Sequence, residues 1–272
     1  MTGSHFITLN EDEFINEALN IVSKAEEKGI ILRILGSLAV RLYVSDNPQA
    51  LLLHRKRLNV PEQVFTDLDL IGYGKQRGSI EKFFSDLQYQ PDRIVNRIFG
   101  DRRLIFYHPK GYFIVDVFLN KLEFSHDVYF GEKPGKGRLE LSYPAITPTD
   151  LVLEKLQIHK INKKDLIDLA ALFLVKDVNS DPLSIDGLYI AKILSQDWGF
   201  WYDATNNLNK LKYIVKELLD LKELQEEVCS KIIQKVDSLL SIIDKEPKSK
   251  DWIKRSQIGT KKPWYREVEE SF

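Results

Sequence analysis

Phe65-Thr66-Asp67-Leu68-Asp69-Leu70-Ile71-Gly72 sets two carboxylates one residue apart inside an apolar run rich in β-formers. Successive side chains of a strand point to opposite faces, so Asp67 and Asp69 share one face while Leu68 and Leu70 turn toward a core. Two carboxylates on a half-buried strand repel each other and lose hydration. A divalent cation removes both costs, and paired aspartate oxygens suit Mg²⁺. A solvated edge strand with two ordinary surface aspartates satisfies the same pattern, and this stretch alone does not choose between the two.

Two flanking segments bear on the choice. Upstream, Ile30-Ile31-Leu32-Arg33-Ile34-Leu35-Gly36-Ser37-Leu38-Ala39-Val40-Arg41-Leu42-Tyr43 reads as a buried strand, a Gly-Ser turn and a helix start. Gly36 lets the backbone approach a ligand, and Ser37 offers a hydroxyl beside exposed N–H groups suited to phosphate. Downstream, Tyr112-Phe113-Ile114-Val115-Asp116-Val117-Phe118-Leu119 is a further strand with one carboxylate in an apolar run. Packing alone gives no reason for Asp116.

Gly-Ser, then Asp-x-Asp, then a third Asp on a later strand resembles the nucleotidyltransferase superfamily related to DNA polymerase β, over about residues 30–120. The spacer from Leu38 to Thr66 is longer than the family's usual one. A second stretch is Thr147-Pro148-Thr149-Asp150-Leu151-Val152-Leu153-Glu154-Lys155-Leu156, followed by Lys163-Lys164-Asp165-Leu166-Ile167-Asp168-Leu169. It is similar to the Lys and Arg-Asp-x-x-Asp motifs of AbiEii-type nucleotidyltransferases, toxin halves of bacterial toxin–antitoxin and phage-defence pairs. Lys155, Asp165 and Asp168 match; Lys164 stands where Arg is usual and lacks its bidentate fork. A charged, amphipathic helix start with i,i+3 and i,i+4 pairs accounts for the same residues.

The resemblance implies an α+β fold, a mixed-sheet nucleotidyltransferase domain followed by an α-helical domain. It implies Mg²⁺ on Asp67, Asp69 and Asp116, which are also the catalytic residues, and nucleotide contacts from Gly36, Ser37, Lys155 and Asp165. The reaction it implies moves a nucleoside monophosphate from a nucleoside triphosphate to an acceptor hydroxyl on tRNA, a small molecule or a protein. A toxin role would bring an antitoxin protein as partner. A catalytically silent nucleotide-binding scaffold, and a metal-dependent phosphohydrolase or nuclease, draw on the same acids.

Bulk properties narrow the setting. Of 272 residues, 39 are Lys or Arg and 40 Asp or Glu, so a net charge of −1 gives no global case for nucleic acid. The single cysteine, Cys229, excludes an intramolecular disulfide and a cysteine-based zinc site. A cytoplasmic, reducing setting fits, and neither a signal peptide nor an apolar run of roughly 18 residues is seen.

Along the chain, residues 1–10 read as a disordered or tag-derived start and 10–28 as a helix. The 48–63 insertion carries His54-Arg55-Lys56-Arg57, a solvated helix face in preference to a phosphate contact. Residues 78–87 read as a helix, and 94–99, 103–108, 111–119 and 139–143 as strands, with 103–119 a hairpin. The 131–137 loop reads as plain surface in preference to a phosphate-facing flap. From Thr147 the pattern is helical, placing a boundary at 146 and an active site in the cleft between domains 1–146 and 147–272. Trp198-Gly199-Phe200-Trp201-Tyr202-Asp203 is expected to pack between helices rather than stack a base, and residues 246–272 to form a flexible or surface-packed tail.

Overall fold

The computed structural model describes residues 9–58 and 65–267. In chain order its elements are α1 (Glu11–Glu27), β1 (Leu32–Ile34), α2 (Gly36–Tyr43), α3 (Pro48–Arg55), β2 (Asp67–Gly72), α4 (Arg77–Asp86), β3 (Gln90–Pro91), α5 (Arg93–Ile98), β4 (Arg103–Tyr107), β5 (Ile114–Leu119), β6 (Lys121–Glu123) and β7 (Asp127–Tyr129). Helices follow: α6 (Pro148–Leu156), α7 (Lys163–Val175), α8 (Gly187–Leu194), α9 (Trp198–Asp220), α10 (Glu226–Lys245) and α11 (Lys250–Ser256). The fold is α+β, with a helical C-terminal region. Its two compact units are interleaved in sequence. The first takes the described residues of Met1–Ala39, Leu58–Leu122 and Tyr129–Ile146; the second takes Val40–Arg57, Glu123–Val128 and the described part of Thr147–Phe272.

The first unit is built on a five-stranded sheet of order β1-β2-β5-β4-β3. β2 and β5 run parallel, while the β1–β2, β5–β4 and β4–β3 pairs are antiparallel. Leu68, Leu70, Val115 and Val117 are fully buried, as their alternation with the aspartates requires. α1 begins at a capping box: Asn10 Oδ1 accepts from the Glu13 N–H at 2.9 Å, and Glu13 Oε2 accepts from the Asn10 N–H at 3.0 Å. Two expected strands are not strands. Residues 94–99 fall on α5, because Asp92 Oδ1 accepts from the N–H groups of Ile94 (3.0 Å) and Val95 (2.9 Å) and starts a helix despite the β-branched content. Residues 139–143 hold only a 3₁₀ turn at Leu139–Leu141, anchored where the Leu139 N–H donates to the Tyr73 hydroxyl at 3.1 Å.

In the second unit Arg55 of the basic quartet is exposed, as expected of a solvated face, but His54 and Arg57 are not. His54 is fully buried with Nε2 3.4 Å from Asp168 Oδ1, and Arg57 Nε lies 3.2 Å from the same oxygen. A carboxylate with no solvent exposure requires polar or charged partners, and His54 on α3 and Arg57 just beyond that helix approach this one. The aromatic stretch opens α9 and packs as expected: Trp198 stacks on Tyr202 at 5.1 Å, and both meet Trp264 edge-on. Trp252 on α11 meets Trp201 at 5.0 Å, so the described part of the tail is surface-packed. The expected start at 1–10, the 48–63 insertion and the tail fall partly outside the described residues. Among the described residues no helix is long and apolar enough to cross a membrane.

Candidate active site

Strand register assembles the acidic face. β2 and β5 pair with Asp69 opposite Asp116 and Asp67 opposite Ile114. Side chains opposite one another project to one face, so Asp67, Asp69 and Asp116 lie on the same side of two adjacent strands. Asp67 is exposed, Asp69 half-buried and Asp116 only 7% exposed. Thr66 donates its hydroxyl to Asp67 Oδ1 at 2.9 Å.

The Gly-Ser turn abuts this face. Leu35 donates its N–H to the Asp69 carbonyl at 3.1 Å. Gly36 follows at φ +71°, and a Cβ there would stand 3.0 Å from Asp69 Oδ2. A side chain at this position would both strain the backbone and crowd the carboxylate. Ser37 then enters the first turn of α2. The turn thus brings a hydroxyl and helix-terminal N–H groups to the edge of the acidic face.

Arg103 on β4 completes the arrangement and was not singled out from sequence. Its Nε lies 2.9 Å from each oxygen of Asp116, and its Nη2 lies 2.5 Å from Oδ2. Burial favours a neutral guanidine, yet Asp116, with Asp69 and Asp67 beyond it, holds Arg103 above its ordinary value. Burial likewise raises the Asp116 pKa; the Arg103 pairing opposes that rise and Asp67 adds to it. The antiparallel hairpin was the available signal, since Ile105 pairs with Asp116 and Arg103 lies two residues along the same face.

Asp67 and Asp69 offer the oxygen donors that hard divalent cations take. Among the described residues no group of three or more His, Cys, Asp or Glu side chains could hold a metal ion. Asp67 and Asp69 suit a cation that keeps water or takes substrate phosphate oxygens, as Mg²⁺ commonly does, while Arg103 already engages both oxygens of Asp116.

Lys155 and Asp165 meet in the second unit. Lys155 Nζ lies 2.8 Å from Asp165 Oδ1, 3.3 Å from Asp168 Oδ2 and 3.7 Å from Glu154 Oε1. Burial would favour the neutral amine, but the carboxylates of Asp165, Asp168 and Glu154 hold its pKa well above the ordinary lysine value. The sequence-selected residues thus form two groups: Gly36, Ser37, Asp67, Asp69 and Asp116 in one unit, Lys155 and Asp165 in the other.

No family model and no curated protein matches the chain. Solved structures give low-scoring similarities. One is the solution structure of the antibiotic-resistance factor ANT(2'')-Ia, with TM-score 0.38 and 12% identity, covering 60% of this chain and 83% of that one. Another is the crystal structure of an antigenic nucleotidyltransferase-like protein from Paracoccidioides brasiliensis, with TM-score 0.39 and 13% identity, covering 90% of this chain and 99% of that one. Likeness at this level transfers no activity, and the functional reading rests on the acidic face and the turn beside it.

Proposed function

We propose that this protein is a metal-dependent nucleotidyltransferase that moves a nucleoside monophosphate from a nucleoside triphosphate to an acceptor hydroxyl. The supporting observation is the register that aligns Asp69 with Asp116 on one face, with Gly36 pressed against the Asp69 carboxylate. A divalent cation bound by Asp67 and Asp69 would neutralise charge on the triphosphate and stabilise the leaving pyrophosphate. Ser37 and the N–H groups at the start of α2 bind phosphate oxygens. Asp116 orients the acceptor hydroxyl and accepts its proton as the oxygen attacks the α-phosphorus; its raised pKa suits a base. Arg103 must release at least one Asp116 oxygen for that role. Lys155 and Asp165 belong to the nucleotide side through the resemblance alone. The toxin assignment, with tRNA as acceptor and an antitoxin as partner, rests on the same footing.

A catalytically silent nucleotide-binding scaffold is the second reading, favoured by the bidentate Arg103–Asp116 pairing. Incubating the protein with each α-labelled nucleoside triphosphate, Mg²⁺ and total bacterial RNA separates the readings. Transfer yields labelled acceptor and pyrophosphate. Nucleotide binding without labelled product supports the scaffold, and inorganic phosphate release would mean hydrolysis instead.

A further inference from the structure

The helical unit holds a second polar constellation that the proposed transfer does not use. Asp203 on α9 is 2% exposed, and its oxygens meet three ring nitrogens. His126 Nε2 lies 2.8 Å from Oδ2; His159 Nδ1 lies 2.8 Å and Trp264 Nε1 3.1 Å from Oδ1. A buried carboxylate is costly unless donors compensate it, and here the compensation aligns three side chains from separate parts of the unit. Burial opposes ionisation of Asp203, but the bonds from His126, His159 and Trp264 hold its pKa below the ordinary carboxylate value.

Two of those three partners, His159 and Trp264, line a cavity of about 510 Å³ together with Tyr202, Asn206, Lys210 and Tyr213. The His159 ring is fixed twice, by Asp203 at Nδ1 and by stacking on Tyr265 with centroids 3.5 Å apart. With Nδ1 directed at a carboxylate, Nε2 is left for a ligand, and it has no hydrogen-bond partner among the described residues. A ring nitrogen held in place in this way can meet a phosphate oxygen directly, and it donates to that oxygen when it carries a proton. Lys210 is exposed and forms no ion pair among the described residues; its Nζ lies 3.4 Å from Asn207 Oδ1. Tyr202, Asn206, Lys210 and Tyr213 recur at helical spacing along one face of α9. The cavity therefore joins the Lys210 ammonium, the outward nitrogen of His159, amide groups and aromatic walls, and among its described lining residues the one acid, Asp203, is committed to its ring partners.

We propose that this cavity binds the phosphate and planar base of a mononucleotide unit, with His159 and Lys210 on the phosphate and Tyr202, Tyr213 and Trp264 against the base. The assignment does not depend on the transfer reaction. It is tested by isothermal titration of the full chain in EDTA, which removes metal-dependent binding at the acidic face. The probes are a 5′-mononucleotide, its unphosphorylated nucleoside, and a short single-stranded oligonucleotide bearing a terminal phosphate. The phosphorylated probes bind, and His159→Gln and Lys210→Met each weaken them about tenfold while nucleoside binding changes little. Binding survives Asp69→Asn unaltered. Preference for the free mononucleotide identifies a soluble ligand; preference for the oligonucleotide identifies a strand end. Lys210 is exposed, so Lys210→Met reports on the ligand and not on folding. Absence of binding by wild type at millimolar probe, or variants that bind phosphorylated probes as tightly as wild type, overturns the proposal.

Discussion

Replacing Lys155 by methionine keeps most of the side-chain volume and removes the charge at the centre of a buried network. In the native protein Lys155 and Arg57 face Asp165, Asp168 and Glu154, two cations against three carboxylates, with His54 also beside Asp168. The variant leaves one cation against three carboxylates, and Asp168 has no solvent exposure with which to recover hydration. Breaking a buried pair from one side costs about 3–5 kcal/mol, against under about 1 kcal/mol for an exposed pair. The larger range applies, since Lys155 is 8% exposed. Urea unfolding followed by circular dichroism and tryptophan fluorescence measures the loss. The folded pKa of Lys155 is raised, so its contribution is full below the unfolded value and is lost only as pH rises through the folded one. The difference between wild type and variant therefore does not shrink as pH rises from about 7 to about 9. Adding Asp168→Asn restores the native excess of one carboxylate and recovers part of the loss. A cost under about 1 kcal/mol, or a double variant no more stable than Lys155→Met, would refute the reasoning.

Further expectations concern the acidic face. Asp67→Asn removes a ligand charge with little change in volume, so Mg²⁺-dependent nucleotide turnover is lost while the urea midpoint without metal holds or rises; retained turnover would remove Asp67 from the metal site. Gly36→Ala forces a Cβ toward Asp69 Oδ2 at a positive φ, with an expected loss of about 1–2 kcal/mol in unfolding free energy. Ser37→Ala weakens triphosphate binding by about 1–3 kcal/mol, more than it changes stability, which titration calorimetry and urea unfolding read separately. Asp116 is raised in the folded state, so its proton-linked contribution is present below the unfolded value of about 3.9 and is lost as pH rises through the folded value. The stability of wild type relative to Asp116→Asn is therefore expected to fall as pH is raised from about 4, and a rising difference would reverse the assigned shift.

The sequence by itself determined the features that depend on local period and chain stiffness. Alternation put Asp67 and Asp69 on one face and Leu68 and Leu70 in the core, because a strand's period of two is set by its backbone. The Gly36-Ser37 turn, the hairpin ahead of Asp116 and the helical character after Thr147 were legible for the same reason. Even locally the competition could be close: β-branched residues suggested a strand at 94–99, and one side-chain cap from Asp92 decided for helix. Tertiary structure decided what depends on pairing across distance. The alignment of Asp69 with Asp116 is a register, fixed only when β2 and β5 meet. Arg103 gained its place from a further strand in that sheet, and His54 and Arg57 gained theirs from a carboxylate on α7. His126 and Asp203 are 77 residues apart in the chain and 2.8 Å apart in the fold. Neither residue's neighbours in sequence carry a trace of the bond, because a buried carboxylate selects its donors by proximity after folding, and chain spacing does not encode that proximity.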